Sequence, residues 1–422
     1  MGSDSVTFQE AAKLIRQGVN PEDAGDMPYI GLEHIEEGTL RLVGIGNAKS
    51  VRSTKFRFCR GDILFGKLRP YFRKVIRPDF DGVCSTDIWV VRAKHGIDQG
   101  YLYYWMASND FVKFATQGSE GTKMPRAKWE HVGRFQRQRL EECEQRAIAH
   151  ILGSLDDKIE LNRRMNQTLE ATARAIFKSW FVDFDPVRAK AEGRPTGLPD
   201  DIAALFPDSF EDSELGEIPK GWNPSNIGSE FNLTMGQSPP GKTYNETGNG
   251  LPFFQGRRDF GFRYPSNRVY CTAPQRLADH GDTLVSVRAP VGDINMAMER
   301  CCVGRGVAAV RHKSGSRSYT YYAMHTLHNR FDRFEAEGTV FGAINKKQFE
   351  GLCWLSPDEN LVGEFEKIAF ALDEQIEKNT NETATLNALR DTLLPKLISG
   401  ELRVPDAQKL VEETAAYEQK KK

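Results

Sequence analysis

Leu155-Asp156-Asp157-Lys158-Ile159-Glu160 returns 217 residues later as Leu372-Asp373-Glu374-Gln375-Ile376-Glu377, and the architecture is read from this recurrence. The same displacement carries Glu120-Gly121-Thr122 onto Glu337-Gly338-Thr339. A shift of 218 carries Tyr101-Leu102-Tyr103-Tyr104 onto Tyr319-Thr320-Tyr321-Tyr322, and a shift of 220 carries Gly61-Asp62-Ile63-Leu64 onto Gly281-Asp282-Thr283-Leu284. The order is preserved and the displacement drifts only by small insertions, so the chain is a tandem duplication of one unit.

Each copy has two parts. The quoted hexapeptides lie in heptad patterns: Leu155, Asn162, Leu169 and Ile176 fall seven apart, as do Leu152, Ile159, Asn166, Ala173 and Trp180. The second copy supplies Leu372, Asn379, Leu386 and Leu393, with Ile376, Leu389 and Leu397 beside them. Such spacing predicts two long helices pairing as a coiled coil. Asn162 and Asn379 hold the same heptad position, as an Asn–Asn layer fixing helix register would require or as two residues at the edge of the seam. Ahead of each helix lies a stretch rich in Gly, Pro and aromatics. Short apolar runs such as Asp87–Arg92 and Val307–Arg311 predict strands there, and Tyr101–Phe114 and Tyr319–Phe334 predict amphipathic helices. The expected fold is mixed α/β (α+β): two similar globular domains joined by two long antiparallel helices, with pseudo-twofold internal symmetry. The expected boundaries are a globule over 1–140, a helix over 141–186 ended by Pro186, an irregular connection and second globule over 187–357, a second helix over 358–404, and a loose tail over 405–422.

With 422 residues, 57 Lys+Arg and 58 Asp+Glu, the chain has room for several domains and almost no net charge. No run approaches the roughly 20 apolar residues of a membrane helix, and Met1-Gly2-Ser3-Asp4 carries no charged-then-apolar leader, so a soluble cytoplasmic protein without membrane contact is expected. The 7 cysteines form no C-x-x-C pair and read as free thiols, mostly buried. Eight histidines offer no close helical pair for a metal, so no metal site is expected.

The charge is unevenly placed. From Arg52 to Arg77 nine basic side chains face Asp62 alone, and from Arg257 to Arg317 eleven face five acids. Two basic islands on a neutral chain point to two local anion contacts. Lys and Arg attract phosphate whatever the sequence, whereas Arg and Gln can fork onto base edges in a major groove. The candidate DNA contacts are Lys67, Arg69, Arg73, Lys123, Lys242, Arg257, Arg258, Arg288 and Arg305, with Gln255 as a base reader. Gly236-Gln237-Ser238-Pro239-Pro240-Gly241-Lys242-Thr243 matches the phosphate-cradling pattern of nucleotide hydrolases, but the Gly- and Pro-broken stretch after it cannot start the required helix. No catalytic constellation is found. The rival readings are a coiled-coil scaffold binding protein or carbohydrate, and an NTPase using Lys242.

Taken together, Gly121–Arg126, Glu144–Ala149, Ala175–Pro186, Leu215–Trp222, Val287–Asn295 and Leu394–Leu402 resemble the specificity subunit of type I restriction-modification systems over about residues 5–404. The first copy lacks a counterpart of Gly216–Trp222. The resemblance implies two target-recognition domains, each reading one half of an asymmetric bipartite site in double-stranded DNA. It implies that the helices space those domains and dock two modification (methyltransferase) subunits, joined by restriction (motor-nuclease) subunits. S-adenosylmethionine, ATP and Mg²⁺ would then belong to the partners and this chain would be non-catalytic. A helix of about 33 residues, near 50 Å long, could hold two readers about one DNA turn apart. Glu144, Arg163, Arg164, Lys367 and Lys378 are candidates to face the partners.

Overall fold

The computed structural model describes residues 5–121, 123–336 and 342–420; Thr122, the Glu337-Gly338-Thr339 repeat and the terminal Lys421-Lys422 lie outside them. The described chain forms two units, one of residues 1–162 with 381–422 and the other of 163–380. Each takes half of one long helix and half of the other, so the units do not follow the linear boundaries suggested by sequence.

In the first unit a four-stranded antiparallel sheet runs in the order Ala12–Ile15, Ile88–Ala93, Ile63–Gly66, Val75–Ile76. Its central strand is apolar at every one of its first four positions because both faces are covered. Trp89 and Val91 join one core with Phe65 and the helix Gln99–Ala107, while Ile88 and Val90 join another with Leu64, Phe58 and Ile30. The second core is closed by a five-stranded sheet in which Pro28–Ile30 runs parallel to Gly82–Cys84.

The second unit repeats the plan. Phe231–Met235, Val307–His312, Thr283–Ser286 and Ile294–Met296 form the four-stranded sheet, and Leu251–Phe254 runs parallel to Cys301–Val303 in the five-stranded one. The four-stranded sheets thus match in strand order and register, whereas the five-stranded ones share four strands and add the fifth at opposite edges, Gly18–Val19 beside Lys55–Phe58 in one and Tyr244–Asn245 beside Tyr270–Cys271 in the other.

The long helices span Glu142–Phe181 and Glu359–Ser399. In the first unit Leu152 and Leu155 pack with Leu386, Leu393 and Leu397. In the second, Ala173, Phe177 and Trp180 pack with Phe365, Ala369 and Ile376. Within each unit the pairing is antiparallel. Asn162 donates to Glu382 at 3.0 Å while the earlier Asp156 accepts from the later Arg390 at 2.9 Å. In the second unit Asn379 donates to Asn166 at 2.9 Å, and Asn166 donates to Thr380 at 3.2 Å. The Asn–Asn layer thus joins Asn379 to Asn166, and Asn162 is held by Glu382. Antiparallel rods set residues opposite by height, so equal repeat position does not make two residues partners.

Each copy also ties its helix pair to its globule through one tyrosine. Tyr104 donates to Asp156 at 2.7 Å, and its counterpart Tyr322 donates to Asp373 at 2.9 Å. The balancing cation differs. Arg390 of the second long helix serves Asp156, whereas Arg263, 1% exposed, reaches Asp373 at 2.6 Å and Glu170 at 3.7 Å from the second globule.

Several expectations are corrected. Tyr101–Phe114 is two helices broken at Ser108, and the first, Gln99–Ala107, is buried around nearly its whole circumference. The second copy breaks likewise into Arg317–Thr326 and His328–Ala336. The first long helix stops at Phe181 and Pro186 opens a new helix, Asp185–Ala191, where a missing N–H costs nothing. The stretch expected as an irregular connection contributes Val187 and Phe206 to the second unit's core and forms a hairpin of Phe210–Ser213 with Gly216–Pro219. The loose tail over 405–422 is instead a helix, Val404–Lys420, whose Ala407 is fully buried against the first unit's core. All seven cysteines are free, and Cys84, Cys271, Cys301 and Cys302 are buried.

Candidate nucleic-acid interface

Four loops of the second unit meet around a cleft of about 710 Å³. Gly304-Arg305-Gly306, after the parallel strand Cys301–Val303, holds the backbone before it: Gly304 N–H donates to the Phe254 carbonyl at 2.8 Å and Gly306 N–H to that of Gln255 at 3.0 Å. A side chain at 306 would stand 2.3 Å from the Gln255 carbonyl oxygen, so glycine permits the contact that fixes Gln255 at the rim. On the opposite edge Gly236 N–H donates to the Val307 carbonyl, Gln237 N–H to that of Val303, and Arg305 N–H to Ser238 Oγ. Gly236 is required for the same reason: a Cβ there would lie 2.2 Å from the Gly304 oxygen. This accounts for Gly236 of the phosphate-loop pattern without a nucleotide. The chain continues there as one turn, Gly241–Thr243, and then the strand Tyr244–Asn245.

Gln255, Arg257, Arg288 and Arg305 all line this cleft. Arg257 donates to Asp293 at 2.6 Å in an exposed pair. Among the described residues, the side chains of Gln255, Arg288 and Arg305 are exposed and have no hydrogen-bond or ion-pair partner. Lys242 is exposed on the turn beside the cleft and is not part of its lining, and Arg258 faces a neighbouring cleft that Arg257 also borders.

In the first unit a cleft of about 620 Å³ lies at a different part of the repeat, bordered by Arg16, Lys67 and the segment 120–130. Lys67 sits between two backbone bonds, its N–H donating to Asp87 and its carbonyl accepting from Ala127, as Val287 does between Gly306 and Ile344. Lys67 and Lys123 line the cleft with Arg16, Arg126 and Lys128. Arg126 forks onto Asp87 at 3.0 and 3.3 Å, and Lys128 pairs with Glu120. Among the described residues the Lys67, Lys123 and Arg16 side chains have no such partner. Arg69, left-handed at φ 52°, is exposed and its guanidinium reaches the Lys123 carbonyl at 3.5 Å.

Arg73 is a correction. It is partly buried, donates to Asn109 Oδ1 at 3.0 Å and to the Gly38 carbonyl, and burial draws its guanidinium below the usual range. It braces a turn and does not line the cleft. Among the described residues no group of three His, Cys, Asp or Glu could hold a metal, and no helix is long and apolar enough to cross a membrane.

Residues 6–171 match the family model described as the type I restriction modification DNA specificity domain. The putative type I restriction enzyme MjaX specificity subunit of Methanocaldococcus jannaschii is 27% identical, over 94% of this chain and 93% of that protein. Over most of its length the chain is similar to type I specificity subunits. The HindI specificity subunit of Haemophilus influenzae is 25% identical over 81% of this chain and 87% of its own length. The S subunit of a type I restriction-modification system from M. genitalium shares the fold, with a TM-score of 0.60 over 93% of this chain and 95% of that one, at 16% identity.

Within this specificity-subunit fold, the residue missed by sequence is Arg16. It lies at the end of the strand Ala12–Ile15, outside both basic islands, and only the sheet order brings it to Lys67 and Lys123. No local signal marks it.

Proposed function

We propose that this chain is the DNA sequence-recognition subunit of a type I restriction-modification complex, each globule reading one half of an asymmetric bipartite target. One observation carries the reading: each copy of a duplicated scaffold has a cleft edged by polar and cationic side chains without a partner among the described residues, and the two clefts differ in position and lining. Lys67, Lys123 and Arg16 border one; Gln255, Arg288 and Arg305 border the other. Cations without a counter-ion suit phosphates, and Gln or Arg at the rim suits base edges. Like scaffolds with unlike rims suit two different half-sites.

In this reading the long helices space the two readers and dock two modification subunits, with restriction subunits completing the assembly. The exposed Arg164, Lys367 and Lys378 are candidate docking positions. The chain itself performs no chemistry; S-adenosylmethionine, ATP and Mg²⁺ act in the partners. The test is equilibrium binding of duplexes by the chain assembled with its modification subunits, across a range of salt. Arg288→Ala and Arg305→Ala should each lower the slope of log affinity against log salt by about one if they hold a phosphate. Wild-type binding that showed neither salt dependence nor preference among duplexes would refute the proposal.

A further inference from the structure

A second basic cleft, of about 900 Å³, adjoins the first in the 163–380 unit and is bordered by a face of the first long helix. Arg174 and Lys178, one turn apart and hence on one helix face, line it together with Arg257 and Arg258 of the recognition domain. Asp293 is the only carboxylate in its described lining, and that group already accepts from Arg257. Phe177, Val182, Phe260 and Ile294 supply apolar lining between them. Four cations over a low-dielectric wall concentrate positive potential.

Arg174 pairs with Glu170 at 2.8 Å and Lys178 with Asp183, but these helix side chains are 52% and 63% exposed. The Lys178–Asp183 pair, exposed on both sides, is weak and readily exchanged for a phosphate, and the 8% exposed Glu170 keeps Arg263 at 3.7 Å when Arg174 turns to DNA. The repeat puts Asp391 and Pro395 at the corresponding positions of the other copy, so the feature belongs to one half of the molecule.

We infer that the long helix itself holds DNA: Arg174 and Lys178, with Arg258, bind backbone phosphates flanking the half-site read by the second recognition domain. This rests on the proposed DNA-recognition function. Duplex DNA is favoured over an acidic protein segment because Arg257 borders both clefts, so one continuous polyanion occupying the Gln255 cleft runs on into this one. The contacts orient without reading bases, since phosphates carry no sequence information.

The experiment uses the full chain assembled with its modification subunits, comparing wild type with Arg174→Gln/Lys178→Gln and with Lys178→Gln alone, which keeps the Arg174–Glu170 pair. Affinity is measured for target and scrambled duplexes over a salt series, with thermal unfolding as the check on folding. The expected result is a slope reduced by about one for each phosphate no longer held. The reduction should be equal on both duplexes, leaving their affinity ratio unchanged. An unchanged slope in Lys178→Gln and in the folded double variant overturns the inference, as does dissociation of the modification subunits with normal DNA binding, which would assign the cleft to an acidic partner segment. If instead wild type itself binds duplexes without salt dependence or preference, the underlying DNA-recognition reading fails.

Discussion

Arg263→Met tests how the second recognition domain is locked to its helices. Arg263 is 1% exposed, lies 2.6 Å from Asp373 and 3.7 Å from Glu170, and stacks over the Tyr321 ring at 3.5 Å. Methionine keeps most of the apolar volume and removes the charge. Glu170 and Asp373, themselves 8% and 5% exposed, then face one another without their shared cation. Breaking a buried pair by removing one partner costs about 3–5 kcal/mol. For a unit of this size each kcal/mol shifts the midpoint by roughly 2–4 °C, so a fall of about 6–20 °C is expected. The pH dependence has a definite sign. Burial already holds the Glu170 carboxyl above its ordinary range, so its charged form is disfavoured in the fold. Removing Arg263 raises it further, and a raised folded value means stability is lost as pH rises and regained as pH falls. Thermal unfolding at pH 5 and pH 8 should therefore show a smaller deficit at pH 5, and Asp373→Asn added to Arg263→Met should recover part of the loss. A deficit under about 1 kcal/mol, or one independent of pH, would mean that Arg263 does not neutralise the two carboxylates.

Gln255→Leu should relax preference at one base position, losing about 1–3 kcal/mol of discrimination while leaving non-target affinity unchanged, as competition with single-position duplex variants would show. Arg73→Ala should cost about 1 kcal/mol of stability through the part-buried Gly38 carbonyl it leaves without its donor, measured by urea unfolding, with no change in the salt slope of DNA binding. Asn379→Leu leaves Asn166 facing an apolar group and should cost about 1–3 kcal/mol. The double variant Asn166→Leu/Asn379→Leu should regain that stability or exceed it, with denaturant midpoints as the measure.

The duplication, the mixed α/β class and the paired heptads were legible because they are periodic: repetition at fixed displacement and apolar residues at seven-residue spacing survive without knowledge of distant contacts. Ile88–Val91 was readable as a strand for the related reason that a sheet covered on both faces needs apolar residues in succession. The features that stayed hidden depend on partners far along the chain. Arg73 and Arg305 look alike in sequence, yet one is consumed by Gly38 and Asn109 and the other is left unpaired among the described residues. Arg263 counts as one more charge in a basic island, but the two helices bury it. The helix Val404–Lys420 has a sparse apolar face, and its Ala407 and Val411 acquire meaning only against the first unit's core. The heptad position of Asn379 was legible, but its partner Asn166 follows only from the antiparallel offset.

That one chain carries two dissimilar readers is best tested by mapping methylated positions across a genome modified by the complete system. With wild type a split motif of two unlike halves is expected, and with Gln255→Leu only the half read by the second domain should loosen while the other half and the gap persist. A single uninterrupted motif, or loosening of both halves together, would contradict it.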